Sequence, residues 1–225
     1  MYTIGIAEGL DEATISAVRD LVEFELPDDY LAFLRRYGYG LIGGGPELQV
    51  QAPDSEHISG TFSVEFFCDF WDWTDDQEAR TALREGTTVA ITFDGDIVCC
   101  VDNAEFGYLL LPRHSEVPVR FAGLLPIIRH LGVEEYFEPA STQVEKIGGW
   151  ERPLGQQVVG DLRTSFLAEH TYDRIFGHPD QPKYVVQSIG GYVWFDLVYG
   201  SIDVGFQPQF EQEARKVVEF IEDLL

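Results

Sequence analysis

The segment Leu26-Pro27-Asp28-Asp29-Tyr30-Leu31-Ala32-Phe33-Leu34-Arg35-Arg36-Tyr37-Gly38 carries the signals of a complete, self-capped helix. Proline suits the first helical position, where its missing N–H costs nothing and its φ is already helical. The two aspartates then face the positive end of the helix dipole and the two arginines face the negative end. One apolar face is formed by Tyr30, Phe33, Leu34 and Tyr37. Gly38 supplies the conformation that ends a helix.

The flanking sequence predicts an α+β fold, with an N-terminal helical pair packed on a largely antiparallel sheet. An earlier helix is expected to begin after Asp11 as its N-cap. A glycine-rich corner over 38–46 then leads from helix to sheet. The β-rich runs Thr87–Phe93 and Ile97–Asp102 are joined by Asp-Gly, which is a strong hairpin signal. A closing helix is predicted over Phe121–Leu131, with Leu124, Leu125, Ile128 and Leu131 facing inward. Helices followed by strands and a last helix favour α+β over alternating βαβ units.

Turn-forming residues divide the chain into three parts. Residues 1–140 are predicted to form the first α+β domain, and 141–155 a linker or connection without a hydrophobic period. Residues 156–225 are predicted to form a strand-strand-strand-helix extension docked on the first domain. Its predicted strands are Tyr184–Ile189, Tyr192–Tyr199 and Ile202–Phe206. A helix over Asp161–Glu169 precedes them, and the helix Phe210–Leu225 follows them. In that helix Ala214, Val217, Val218, Ile221 and Leu225 are expected to face inward.

Composition restricts the function classes. The chain has 39 acidic and 15 basic residues and a formal net charge of −24. Such a field repels nucleic acid and anionic membranes and speeds encounter with a basic partner. An organism with a generally acidic proteome is the alternative explanation. No apolar run approaches the roughly 18–20 residues that span a bilayer, and the N-terminus lacks a basic region and an apolar signal core. We therefore expect a cytoplasmic protein that binds neither nucleic acid nor membrane.

The strongest candidate site is an aromatic and acidic segment, Phe66–Glu78. Aromatic side chains are favoured anchors of protein interfaces, and carboxylates around them pair with Lys or Arg of a partner. The alternative is that Phe70 and Trp71 close the core while the acids are merely solvated. The predicted partner-binding residues are Asp69, Asp72, Trp73, Asp75, Asp76 and Glu78.

Motifs for cofactors and catalysis do not meet their structural requirements. Gly38, Gly40 and Gly43 match G-x-G-x-x-G, but the motif follows a helix and precedes strands, whereas a dinucleotide site needs the reverse. The aspartates from Asp94 to Asp102 lack the glycine and glutamate of a calcium loop. Histidines and cysteines show no zinc spacing, and no nucleophile motif occurs. We expect no catalytic residues, no metal and no cofactor, and hence no enzyme.

The helix start Leu26-Pro27, the glycines after Tyr37 and the strand-Asp-Gly-strand unit at Asp94 resemble the SUKH superfamily over roughly Ile15–Tyr136. Many bacterial members of that family are immunity proteins against polymorphic toxins. The resemblance implies a protein that binds and neutralises a basic toxin domain, for which a nuclease is one candidate class. Two alternatives stay open: a SUKH-type regulatory or scaffold protein without a toxin partner, and an enzyme with a dispersed site.

Overall fold

The structure is a computed structural model that describes residues 1–43, 47–54, 81, 84–103, 105–115, 117–133, 135–149 and 151–225. These residues form two compact units. The first comprises Met1 and Ala7–Phe137, and the second comprises Tyr2–Ile6 and Glu138–Leu225. Both units combine helices with antiparallel sheet, so the predicted α+β class is confirmed.

Five α-helices occur in this part of the chain. They are α1 (Glu12–Arg19), α2 (Asp28–Tyr37), α3 (Leu124–Leu131), α4 (Gln156–Glu169) and α5 (Glu211–Glu222). Short 3₁₀ turns lie at Gln187–Ile189 and Pro208–Phe210. Among the helices described here, none combines the length and apolar character needed to cross a membrane.

The N-terminal helical pair forms as the capping signals predict. The side chain of Asp11 accepts a hydrogen bond from Thr14 N at 2.8 Å and caps α1. Pro27 precedes the first residue of α2, and Gly38 ends that helix with a φ of 76°. The two helices are also joined by an ion pair in which Arg35 Nε lies 2.6 Å from Glu12 Oε1. Because this pair is exposed, it adds little to stability.

The sheet of the first unit contains strands β2 to β7 as neighbours in chain order. They are β2 (Gly40–Gly43), β3 (Leu48–Asp54), β4 (Thr87–Thr92), β5 (Ile97–Cys100), β6 (Tyr108–Leu111) and β7 (Val119–Phe121). Strand β1 (Tyr2–Thr3) belongs to the second unit, and β8 (Tyr136–Pro139) spans the point in the chain where the first unit ends. The predicted hairpin is confirmed, because β4 and β5 pair antiparallel around Gly95. The predicted corner over 38–46 is too long, because Gly40–Gly43 already forms strand β2. Since the G-x-G-x-x-G match runs into this strand, it opens no helix.

The core of the first unit lies between its helices and its sheet. Ile15, Tyr30 and Leu34 of the helical pair are fully buried together with residues of β2, β4 and β6. The closing helix begins later than predicted, at Leu124, because Val119–Phe121 pairs with β6 as an edge strand. Leu125 was expected to face inward and is instead 49% exposed. An eight-residue helix lying on one surface buries only the face that carries Leu124, Ile127 and Ile128.

The second unit contains a five-stranded antiparallel sheet in the order β10-β11-β12-β13-β9. Its strands are β9 (Gln143–Gly148), β10 (Arg174–Phe176), β11 (Lys183–Val186), β12 (Gly191–Asp196) and β13 (Ser201–Phe206). The helices α4 and α5 pack on the face that carries Val193, Phe195 and Ile202. The predicted connection over 141–155 is corrected here, because β9 lies within it.

Two sequence features explain these differences in the second unit. Strand β9 alternates little between polar and apolar residues, since only Ile147 of its six residues is buried. The sheet therefore recruits it through backbone pairing with β13 rather than through a hydrophobic pattern. Leu225, predicted to face inward, is 58% exposed because α5 ends at Glu222.

Candidate functional site

The residues predicted to bind a partner lie outside the part of the chain that the structure describes. They are Asp69, Asp72, Trp73, Asp75, Asp76 and Glu78. The structure therefore does not test whether Trp73 stands among exposed carboxylates, and their role stays a prediction. The described residues do contain a second segment of the same chemistry.

This second segment, called the acidic connection and defined as residues 20–29, joins α1 to α2 and includes the first two residues of α2. It holds five carboxylates and no basic residue, and all five are exposed. The carboxylates belong to Asp20, Glu23, Glu25, Asp28 and Asp29. Leu21 is also 56% exposed within it. A dense group of exposed carboxylates beside apolar surface is suited to a basic protein surface.

An apolar groove between α2 and α3 adjoins the acidic connection. It has a volume of about 250 Å³ and is lined by Met1, Asp29, Phe33, Tyr37, Leu124, Leu125 and Ile128. The groove exists because α2 presents residues at i, i+4 and i+8 along one stripe, opposite the exposed side of α3. Apolar grooves of this kind accept the side chains that anchor protein interfaces.

An aromatic cluster forms the floor of this α2–α3 groove. The rings of Phe33 and Tyr37 are 5.0 Å apart, and each lies within 6 Å of the fully buried ring of Phe137. The guanidinium of Arg36 sits 5.0 Å from the centre of the Tyr37 ring. These contacts hold the floor rigid, which lowers the entropy lost when a partner is bound.

Asp29 joins the groove to the fold. Its Oδ1 accepts a hydrogen bond from the Tyr108 hydroxyl at 2.7 Å, and its Oδ2 accepts one from Leu124 N at 2.6 Å. The N-cap of α3 is Gly123, which has no side chain to cap the helix, so a residue of α2 caps it instead. Burial raises the pKa of Tyr108, and the bond to Asp29 raises it further, so the hydroxyl remains a donor.

The second unit contains a separate group of charged side chains on its sheet. Lys183 Nζ lies 3.6 Å from Glu138 Oε2, and both side chains are nine-tenths buried. Lys183 Nζ also lies 4.3 Å from the centre of the Tyr192 ring. On the neighbouring strands, Lys146 Nζ lies 3.4 Å from Asp203 Oδ2. The Lys183–Glu138 pair is buried, and desolvation offsets much of its attraction, whereas Lys146 is half-exposed.

Asp203 is the titratable group of this cluster with the clearest perturbation. Burial raises its pKa above the ordinary value, and the nearby Lys146 opposes that rise. Its Oδ1 is buried and accepts no hydrogen bond from the described residues. A carboxyl with a raised pKa exchanges its proton nearer to neutral pH, which is a property of general acids and bases. This observation is what supports the enzyme alternative.

Metal ligation and thiol chemistry have weaker support. Within the ranges that the structure describes, no group of three or more His, Cys, Asp or Glu side chains is placed to hold a metal ion. Cys99 and Cys100 are fully buried in β5, and burial raises the pKa of Cys99 to about 12. A thiol in that state is a weak nucleophile.

No known protein-family model, no curated protein and no solved structure matches this chain. The site therefore rests on its own geometry. Phe33 and Tyr37 lie on the apolar face of α2 that their spacing predicts, but no pattern in the sequence predicts the groove. The sequence carries only part of the signal for the groove. The apolar pattern of α3 indicates that the helix has a buried face, but nothing in that pattern shows that Leu125 is exposed.

Proposed function

We propose that this chain is an immunity protein of SUKH type that binds and neutralises a basic toxin domain. The observation that carries the proposal is the net charge of −24 on a chain that nevertheless folds around two apolar cores. A charge excess of this size opposes compaction, and its retention is explained either by a generally acidic proteome or by a binding role. Binding a basic protein is the role that this chemistry supports best.

The first unit supports the proposal in two ways. Its capped helical pair and antiparallel sheet agree with the fold class that the sequence resemblance implies. Its surface also combines the α2–α3 groove with the acidic connection, which share Asp29. An apolar centre with a charged rim is the usual anatomy of a protein interface. A nuclease is a suitable partner class, because its active site must be electropositive to hold phosphates.

The direct test is co-expression of the chain with the product of the gene immediately upstream, followed by pull-down and a growth assay. We expect the chain to bind that product and to restore growth. Association should be fast at low salt and slow as salt screens the charges. A gene product that is neither bound nor neutralised would contradict the immunity role, and would favour the regulatory or scaffold alternative.

Two sets of variants then locate the interface. Charge reversal at Asp75 or Asp76 should slow association, and Trp73→Ala should weaken affinity by about 2 kcal/mol or more if that residue is an anchor. In the groove, Leu125→Gln should weaken affinity without unfolding, because Leu125 is 49% exposed. Val158→Gln on α4 is the matched control, since Val158 is also an exposed apolar residue on a helix. Equal affinities for these two glutamine variants would exclude the groove.

A further inference from the structure

Strand β9 forms a long free edge of the second sheet. It is the last strand in the sheet order, and all six of its residues pair with β13 without a register shift. Five of the six residues are exposed. Within the part of the chain that the structure describes, no strand pairs with its outer side. Edge strands of this length are templates for pairing with another chain.

The direction of the backbone groups in β9 follows from hydrogen bonds elsewhere in the sheet. Phe195 N donates to Pro182 O and Leu197 N donates to Asp180 O, both at 3.0 Å. In an antiparallel sheet, hydrogen-bonded and non-hydrogen-bonded pairs alternate, and each residue directs its N–H and C=O to one neighbouring strand. Carried across the strand registers of the sheet, this alternation gives the hydrogen-bonded pairs Tyr184–Val193, Trp194–Asp203, Tyr192–Gly205, Ile202–Ile147 and Val204–Glu145.

The backbones of Val144 and Lys146 therefore point away from the sheet. Glu145 and Ile147 use their N–H and C=O groups on β13, so the intervening residues direct theirs to the free side. Val144 also has a side chain that is 50% exposed. The edge thus offers two donors, two acceptors and an apolar contact in the spacing of a β-ladder.

The charges beside this edge are mainly negative. On the helix-covered face, the guanidinium of Arg215 donates two hydrogen bonds to Glu211 Oε1, and the charges of Glu145 and Glu219 act on the same guanidinium. Three carboxylates therefore surround one base. Lys146 is a residue type that discourages edge pairing, but its ammonium is held by Asp203 on its own sheet.

We infer that β9 is a docking strand for an extended, basic segment of a partner protein, which adds to the sheet as an antiparallel strand. The segment pairs its backbone with Val144 and Lys146, places an apolar residue opposite Val144, and places a Lys or Arg opposite Glu145. Main-chain bonds supply affinity in this mode and alternate side chains supply specificity. This inference goes beyond the immunity proposal and does not depend on it.

A second copy of the chain is a poorer occupant of the same edge. A two-fold axis perpendicular to the sheet must set one residue directly opposite its own copy, because residues that face each other on paired strands point to the same side of the sheet. An axis at Glu145 sets that carboxylate against its own copy, and an axis at Lys146 does the same for the ammonium. Like charges directly opposite each other destabilise a sheet. An axis at Val144 pairs two valines but places Gln143 of the copy opposite Glu145, so it supplies no base for that carboxylate.

The test uses the whole chain and a short synthetic peptide of alternating lysine and valine. In the free protein, we expect the amides of Val144 and Lys146 to exchange rapidly with solvent, while those of Glu145 and Ile147 are protected. Saturating peptide should protect the first pair. Two control peptides keep the length: one has glutamate in place of lysine, and one has alternate backbone amides methylated. Both should bind about tenfold more weakly or not at all.

Variants of the protein complete the test. Val144→Pro removes an outward N–H but no bond to β13, so this variant should keep the fold and bind the peptide about tenfold more weakly. Val144→Ala keeps the N–H and should not lose this affinity. Glu145→Lys should weaken binding more than Glu222→Lys, which makes the same change in net charge. If Val144→Pro does not fold, the methylated peptide decides. Peptide-induced protection that leaves Val144 and Lys146 unchanged, or a dimer that protects them without peptide, would overturn the inference.

Discussion

Replacement of Asp29 by alanine tests whether one side chain of α2 holds α3 in place. The carboxylate accepts one hydrogen bond from Leu124 N and one from the Tyr108 hydroxyl, at 2.6 and 2.7 Å. Loss of a helix N-cap costs about 1 kcal/mol. A hydroxyl left without an acceptor in a buried side chain costs about 1–3 kcal/mol. We therefore expect the free energy of unfolding of the first unit to fall by about 2–4 kcal/mol.

The neighbouring aspartate provides the matched control. Asp28 lies in the same first turn of α2 and is exposed. Asp28→Ala therefore removes the same charge from the helix dipole, at a cost of about 0.3–1 kcal/mol. Asp29→Asn should fall between the two, because its amide oxygen still accepts from Leu124 N while its NH₂ donates to the Tyr108 oxygen.

Urea unfolding followed by circular dichroism measures the global effect, and amide exchange at Leu124 measures the local one. Asp29→Ala should lower the midpoint of the transition and speed exchange at Leu124 by loss of its acceptor. The reasoning would be refuted if Asp29→Ala and Asp28→Ala were equally stable and the Leu124 amide exchanged as in the original chain. Asp29 would then be an ordinary surface acid.

Two further predictions concern stability alone. A Cβ at Gly43 would overlap the ring of Tyr136, so Gly43→Ala should lower the free energy of unfolding by about 1–3 kcal/mol. Gly160 in α4 has open space around it, so Gly160→Ala should raise the free energy of unfolding by about 0.5–1 kcal/mol. Thermal melts compare the two variants. Burial raises the pKa of the Asp203 carboxyl above 3.8, so the folded state binds the carboxyl proton more tightly than the unfolded state does. The contribution of Asp203 to stability is therefore present at low pH and falls as the pH rises from 3.8 through the raised pKa. Asp203→Asn should remove that slope, and an NMR titration midpoint at or below 3.8 would contradict the assignment.

The elements with strong local signals were predictable from the sequence. Asp11 and Gly38 define their helix ends through capping, which depends on a few neighbouring residues. Pro27 was expected at the first helical position and instead precedes it, with an extended ψ of 134° and no side-chain cap. The Asp94-Gly95 turn likewise determines its hairpin. Strand β9 was not predictable, because it has one buried residue in six and is held by a partner strand more than fifty positions away. Long-range backbone pairing leaves no periodic trace in the sequence.

The candidate site was predictable in chemistry but only partly in position. Clustered carboxylates are visible in the sequence at residues 20–29 as readily as at residues 69–78. Asp29 was assigned to the helix dipole, and its more specific role as a cap for α3 requires Gly123 to be near it in space. The α2–α3 groove also depends on how two helices ninety residues apart are placed. Such sites arise from packing and have no local motif.

The carboxylates of this chain therefore fall into two groups that the net charge alone does not separate. Asp11, Asp29 and Asp196 accept backbone hydrogen bonds, and Asp203 is paired with a lysine. These side chains maintain the fold, and their replacement changes stability before it changes recognition. Exposed acids such as Asp28 carry charge without such a role. The second group can be changed without loss of a structural hydrogen bond, so a test of the proposed interface should move charges between such exposed positions while the total stays constant. A binding rate that follows position under those conditions indicates a specific surface, whereas one that follows only the total indicates a general acidic field.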